Sequence, residues 1–266
     1  MRITVASEPG RADRENEDFA GAVPGAALVV DGATAPPGVA SGCVHSVAWY
    51  ARTLGGLLLG TVTDLRLSLA EALELAIAQV GRIHSGGCDL GSPHSPSATL
   101  AIARARGGLL EYLVLCDSTV LLDHRDGTAE AVTDDRLDLL RPRIATPPEG
   151  ADPLAYERLG PVERFAAHRN RPGGFWVAAA DPLAARQALT GAVPLDELRS
   201  VSLLTDGATR LADLFATLSW PDLRTILTTD GPAGLIRRTR KTEAATPPAS
   251  GKPSDDATAL HWPLTG

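Results

Sequence analysis

The chain has 266 residues, 44% apolar and 21% charged, a globular composition that excludes wholesale disorder. Its 25 Lys+Arg against 32 Asp+Glu leave a formal charge of −7, which argues against a nucleic-acid binder that works by neutralising phosphate. The start, Met1-Arg2-Ile3-Thr4-Val5, lacks a signal peptide's apolar stretch, and no apolar run approaches the roughly 18 residues of a membrane span. A cytoplasmic protein without membrane or nucleic-acid partners is therefore expected.

Short β-like runs come first, at 3–7 and 26–31. A helix follows, with Val44, Val47, Ala48, Ala51, Leu54 and Leu58 at helical spacing; Gly55, Gly56 and Gly60 are expected to end it. A second helix carries Leu69, Leu73, Ala76, Ile77, Val80 and Ile83 on one face, opened by a Ser68/Glu71 capping box. The two read as an antiparallel pair laid across a sheet. Strands are predicted at 98–104, 109–116 and 119–124, the last turning through Asp126-Gly127 into a partner at 128–133.

Residues 134–170 mix Pro, Arg and acids without periodicity and read as a partly helical excursion. Further strands are predicted at 174–180, 200–205 and 257–262. A second helix cluster is predicted at 182–189, 208–216, 221–227 and 232–241, with Asp230-Gly231 as turn and cap. The stretch 242–255, rich in Ala, Pro and Ser, reads as a loop. Strands interleaved with two helix clusters indicate an α+β class. No internal repeat or linker stands out, so one domain over 1–266 is expected.

Cys43, Cys88 and Cys116 are sparse and odd in number, and no Cys-x-x-Cys pair exists. They do not read as a disulfide framework or a zinc motif, and a reducing compartment fits them. Two other Asp-Gly pairs, Asp31-Gly32 and Asp206-Gly207, each follow a buried-type apolar strand. A carboxylate there needs a partner unless it only ends the strand or caps a helix. Asn16-Glu17-Asp18, Asp117-Ser118 and Asp255-Asp256 add further acids at strand-loop junctions.

In order, Asn16-Glu17-Asp18, Asp31-Gly32, Ser97-Ala98-Thr99, Asp117-Ser118, Asp206-Gly207 and Asp255-Asp256-Ala257-Thr258 resemble the motifs of the metal-dependent type 2C (PPM) protein serine/threonine phosphatases. The match spans nearly the whole chain and looks like a divergent bacterial-type member. The resemblance implies a four-layer α-β-β-α sandwich, two antiparallel sheets flanked by helix pairs. It implies hydrolysis of phosphoserine or phosphothreonine in a phosphoprotein substrate by a metal-bound water, with two Mn2+ or Mg2+ ions. Such ions favour oxygen ligands, so carboxylates suffice. By the same resemblance Asp31 bridges both ions, the Gly32 carbonyl binds one, and Asp206 and Asp255 bind the other. Glu17 and Asp18 hold metal-bound water, Asp18 orienting the nucleophile, and Asp117 lines an optional third site.

Four positions depart from the family pattern. Asp13, flanked by Arg11 and Arg14, stands where the family carries a phosphate-gripping Arg. The His that follows the first Asp-Gly in many members is missing from Ala33-Thr34-Ala35-Pro36-Pro37-Gly38; His45 and His94 are the candidate replacements. Cys116 replaces a Gly and reads as a buried apolar residue rather than a nucleophile. Arg210 replaces an acid four residues after Asp206, disfavouring a third metal at Asp117 and offering a catalytic phosphate contact in place of the missing one. Three readings stay open: the protein phosphatase, a degenerate phosphatase-fold binding or regulatory module, and a small-molecule phosphomonoesterase.

Overall fold

The computed structural model describes residues 2–33, 38–84, 86–248 and 252–264. Among the described residues, ten strands form two antiparallel sheets. They are β1 (Thr4–Glu8), β2 (Phe19–Val23), β3 (Ala26–Ala33), β4 (Ser97–Arg106), β5 (Leu109–Leu115), β6 (Thr119–His124), β7 (Ala129–Thr133), β8 (Leu189–Pro194), β9 (Leu198–Leu204) and β10 (Ala257–Pro263). One sheet runs β1-β10-β9-β6-β7 and the other β2-β3-β4-β5-β8.

Side-chain alternation explains the layering. On β3, Leu28 and Val30 face the helix pair α1 (Val47–Thr61) and α2 (Leu69–Ile83), packing with Leu54, Leu58, Leu73 and Ile77. Ala27 and Val29 face the opposite way, into a core between the sheets shared with Val120, Val201, Leu203 and Leu260. Beyond the other sheet, Leu204, Ala257 and Ala259 pack against Leu223, Ile226 and Leu235. These come from α7 (Trp220–Thr229) and α8 (Gly231–Ala245), which follow four short helices: α3 (Arg136–Leu140), α4 (Pro153–Glu157), α5 (Pro161–Ala167) and α6 (Asp206–Thr209). The result is the expected α-β-β-α sandwich.

Local signals hold where they rest on caps and turns. Ser68 and Glu71 form the reciprocal capping box of α2, and Ser46 accepts from the Trp49 amide to cap α1. Gly127 turns the β6–β7 hairpin at φ +95°. The buried Arg104 clamps the α1–α2 turn to β4. It pairs with Glu111 at 2.7 Å and donates to the carbonyls of Val62 and Leu67.

Several expectations are corrected. α1 runs through Gly55 and Gly56 to Thr61 rather than ending there. Gly55 is a contact, not a stop, because a Cβ would collide with the Phe19 ring. β2 and β8 were not anticipated, and 182–189 is a 3-10 turn (Pro182–Gln187) running into β8, not a helix. Residues 174–180 make only isolated bridges, Ala98 with Ala178 and Arg169 with Phe175. The 208–216 helix shrinks to the single turn of α6 plus a turn region, and α8 reaches Ala245, into the expected loop. Residues 34–37 and 249–251, inside two of the expected loops, lie outside the described residues.

The cysteines are also corrected: Cys43 and Cys88 are joined as a disulfide. They are 45 residues apart. Two antiparallel helices of equal length, 15 residues each, return the chain to its starting end. Cys116 is free and buried, as expected. Among the described residues, no helix is long and apolar enough to cross a membrane.

Candidate metal centre and active site

The acids meet because antiparallel strands start and stop at one end of the sandwich. Glu8 at the end of β1 pairs with Ala257 at the start of β10, and Ala33 at the end of β3 pairs with Ser97 at the start of β4. Leu204 at the end of β9 pairs with Thr119 at the start of β6. Asp31, the β5–β6 turn bearing Asp117, Asp206 and Asp255 therefore share that end with the Asn16-Glu17-Asp18 segment that enters β2. Asp31 has the parity of Ala27 and Val29, so it points between the sheets.

Hydrogen bonds lock this assembly. Thr205 donates to Asp18 Oδ2 at 2.9 Å while accepting from the Thr258 amide at 2.9 Å. The Asn16 amide group donates to Ser7 Oγ, and Asn16 Oδ1 accepts from the Asp18 amide. Asp256 is occupied structurally: its two oxygens accept from the amides of Gly10 and Glu17, each at 2.7 Å. Its neighbour Asp255 is engaged through one oxygen, Oδ1, which takes the Lys252 ammonium at 2.7 Å and the Asp256 amide at 3.0 Å. Glycine is required at 32, where a Cβ would stand 2.7 Å from the Glu17 carbonyl oxygen and 2.5 Å from Val47. The backbone of the Glu17 segment can thus lie directly against Gly32. Glu17 is half-buried, anchored through its amide to Asp256.

The electrostatics match a crowd of like charges, Asp18 buried and Asp31, Asp117, Asp206 and Asp255 half-buried. Burial, then the charges of Asp18, Asp206, Asp117 and Asp255, push Asp31 well above the ordinary carboxylate range. Burial and the charges of Asp117, Asp255 and Asp18 push Asp206 up to about 8. Asp18 is pushed up to about 7 by burial, against hydrogen bonds from Thr258 and Thr205. Asp117 is raised chiefly by burial. Asp18 Oδ1 is buried with no hydrogen-bond partner. An orphaned carboxylate oxygen, facing acids that resist ionising together, fits a divalent cation and its waters.

Arg210 is a correction. It is 7% exposed, with Nε 3.0 Å from Glu243 and Nη2 donating to the Lys252 carbonyl at 2.8 Å. Its guanidinium is spent on joining the start of the α6–α7 turn to α8, where Glu243 also holds Arg240 and Ser254. It is not free to grip phosphate. Asp13 is exposed and paired with Arg11 at 2.6 Å. His94 borders a cavity of about 350 Å³ lined by Ala33, Ser97, Phe165, Arg169 and Phe175, whereas His45 lies among the cysteines. Burial drives the Cys116 thiol well above its ordinary pKa, consistent with an inert role.

Two charged groups escaped the sequence reading. Partial desolvation of this exposed side chain would lower the Lys252 pKa, but the charges of Asp255, Asp206 and Asp31 prevail and raise it. Asp213, exposed in the turn region after α6, is shifted up to about 6 by partial desolvation, with Asp138 and Asp117 adding to the rise. A lysine in a Pro/Ser-rich stretch carries no local signal of either neighbour. Asp213 does fall two helical turns beyond Asp206, but only in a helix that the chain does not complete.

No protein-family model matches the chain, and no curated protein matches it. Solved structures do. The PPM Ser-Thr phosphatase MsPP from Mycobacterium smegmatis is 18% identical at a TM-score of 0.59, covering 100% of this chain and 99% of that one. PppA, described as a regulatory component of T6SS in Pseudomonas aeruginosa, is 20% identical at 0.58, covering 98% and 96%. The catalytic domain of the serine threonine protein phosphatase PstP, in complex with 2 manganese ions, is 16% identical at 0.56, covering 98% and 97%. From end to end, this chain has the fold of the PPM serine/threonine phosphatases.

Proposed function

We propose that this protein is a metal-dependent phosphatase acting on phosphoserine or phosphothreonine in proteins. The observation that carries the reading is the convergence of Asp18, Asp31, Asp117, Asp206 and Asp255 from five chain segments into one crowded field, Asp18 buried and the other four half-buried, with one Asp18 oxygen unpartnered. Asp31 would bridge two Mn2+ or Mg2+ ions, with the Gly32 carbonyl on one and Asp206 and Asp255 on the other. Asp117 would border a third position. Bound there, the ions would lower the pKa of a water and offset the negative charge of the phosphate. Glu17 and Asp18 would hold and orient water; the hydrogen bond from Thr205 fixes the Asp18 carboxylate and leaves its other oxygen for that water. A structure with this fold that holds two manganese ions supports the assignment.

Two observations favour a second reading, a phosphatase-fold module that binds a partner without efficient turnover. Lys252 places an ammonium on Asp255, a position the enzyme reading gives to a cation, and Arg210 leaves the phosphate without its expected donor. The deciding experiment is hydrolysis of an aryl phosphate and of a phosphothreonine peptide with manganese, magnesium or EDTA. Metal-dependent turnover that EDTA abolishes supports the enzyme. Stoichiometric manganese binding without turnover of either substrate supports the module.

A further inference from the structure

Outside the acidic end, four metal-ligating side chains meet where the α1–α2 pair closes. Cys43 and His45 lie just before α1, His84 caps the end of α2, and Cys88 follows it. Their donor atoms all lie within 4.8 Å of one another. Cys43 Sγ is 3.4 Å from His84 Nε2 and 3.6 Å from His45 Nδ1, and His45 Nδ1 is 3.3 Å from Cys88 Sγ.

We propose that Cys43, His45, His84 and Cys88 form a tetrahedral Cys2His2 zinc site when the two sulfurs are reduced. With Zn–S near 2.3 Å and Zn–N near 2.0–2.1 Å, a tetrahedral centre has S···N edges of about 3.5 Å. The three observed S···N distances fall around that value. Thiolates and imidazoles also select a softer metal than the carboxylates do, so the two sites sort their ions by ligand type.

The imidazoles are held in place by their surroundings. His45 stacks on Trp49 with centroids 3.8 Å apart, and His84 packs against Trp49 and Tyr50 at 4.9 and 5.9 Å. His84 is 2% exposed, and the other three ligands are half-buried. The His45 amide donates to Cys43 Sγ at 3.3 Å, an interaction that offsets thiolate charge. The backbone is tied across the same gap, the Asp89 amide donating to the Gly42 carbonyl at 2.7 Å. The metal would therefore fasten the start of α1 to the loop leaving α2. Val47, the first residue of α1, touches Gly32, so this fastening also steadies the wall behind Asp31.

The disulfide and the zinc site use the same sulfurs and exclude each other. Passage between them is balanced: two electrons from a thiol reductant, itself left as a disulfide, give two Cys thiols. These release two protons as the two Zn–S bonds form. The sequence spacing, Cys-x-His before one helix and His-x3-Cys after the next, is the signal that a search for Cys-x-x-Cys misses.

The test is cobalt(II) titration of the full chain reduced with a phosphine, with zinc stoichiometry measured in parallel. The expected result is one zinc per chain beyond the ions held by carboxylates. It is accompanied by the near-ultraviolet thiolate charge-transfer band and the strong visible bands of tetrahedral cobalt. Cys88→Ser and His84→Ala should remove or shift those bands, whereas Asp31→Asn should keep them. Circular dichroism of each variant separates loss of ligand from loss of fold, and the wild-type spectrum stands without the variants. Absence of a thiolate–cobalt band in the reduced wild-type protein would overturn the proposal. So would a Cys43–Cys88 disulfide that survives the reductant.

Discussion

The acidic end and the Cys/His cluster sit on either side of the start of α1, yet they are assembled in opposite ways. The acids come from strand ends and turns spread from Asp18 to Asp255, and their proximity is a consequence of sheet closure. The four soft ligands come from two short segments bracketing one helix pair. The acidic end is thus a property of the whole sandwich, whereas the Cys/His cluster is a property of one layer. The first should fail with any large disturbance of either sheet. The second should depend only on α1, α2 and the segments flanking them.

The sharpest way to break this contrast is to remove one shared carboxylate. Asp31→Asn or Asp206→Asn should lower manganese-dependent hydrolysis by about a thousandfold, because several kcal/mol of charge stabilisation at the transition state disappear. Calorimetric manganese titration should show loss of a site while far-ultraviolet circular dichroism is unchanged. Intact two-site binding in either variant would refute the ligand assignment.

The same crowd of carboxylates sets a pH dependence. Asp206 at about 8 and Asp18 at about 7 both stand above the ordinary carboxylate value of 3.8. The folded state therefore binds these protons more tightly than the unfolded chain. Their contribution to stability is full below about pH 4 and is lost as the pH rises through 7 and 8. In EDTA, the urea midpoint should fall over that interval. Manganese should reverse the fall, and Asp206→Asn should flatten it. A midpoint that rises from pH 5 to 8 in EDTA would show that the acids are not crowded.

Arg210 sharpens the boundary between the acidic end and the packing behind it. Arg210→Ala leaves Glu243 buried with Arg240 as its remaining cation. Breaking a buried pair costs about 3 kcal/mol at the low end. For a chain of this size, that lowers the melting temperature by roughly 6–12 °C. The Michaelis constant for an aryl phosphate should change little. The opposite pattern, normal melting with a raised Michaelis constant, would restore the phosphate contact.

Legibility in the sequence followed the same division. The β3 run, the Ser68 capping box and the Asp126-Gly127 hairpin are local, and each appears where periodicity and turn chemistry put it. β2 was missed because Phe-Ala-Gly-Ala-Val has a weak pattern and is completed by its partner β3. Gly55 reads as a breaker only until the Phe19 ring is placed against it. For the acidic end, the order of motifs was legible, but the roles of single charges were not. Arg210 looks free in sequence and is claimed by Glu243, 33 positions away in a helix with no motif. The disulfide escaped for a similar reason, since only the equal lengths of α1 and α2 bring Cys43 to Cys88.

Lys252 gives the smallest effect and the finest discrimination between the two functional readings. Its ammonium lies 2.7 Å from Asp255 Oδ1, and its side chain is 54% exposed, so the pair resembles a surface ion pair. Such pairs contribute roughly 0.2–1 kcal/mol. A divalent cation on Asp255 must displace that ammonium, and Lys252→Ala removes the competitor. Manganese affinity should therefore rise about 1.4- to 5-fold, the same energy expressed as a binding ratio. Turnover at saturating manganese separates the alternatives. If Lys252 merely weakens the cation position in a module that binds manganese without turnover, Lys252→Ala tightens manganese binding but gains no hydrolysis. If Lys252 instead swings out to meet the phosphate once the ion is bound, Lys252→Ala binds manganese more tightly and raises the Michaelis constant. Unchanged manganese affinity in a folded Lys252→Ala variant would mean that Asp255 is not a ligand, and the register of the last motif would have to be redrawn.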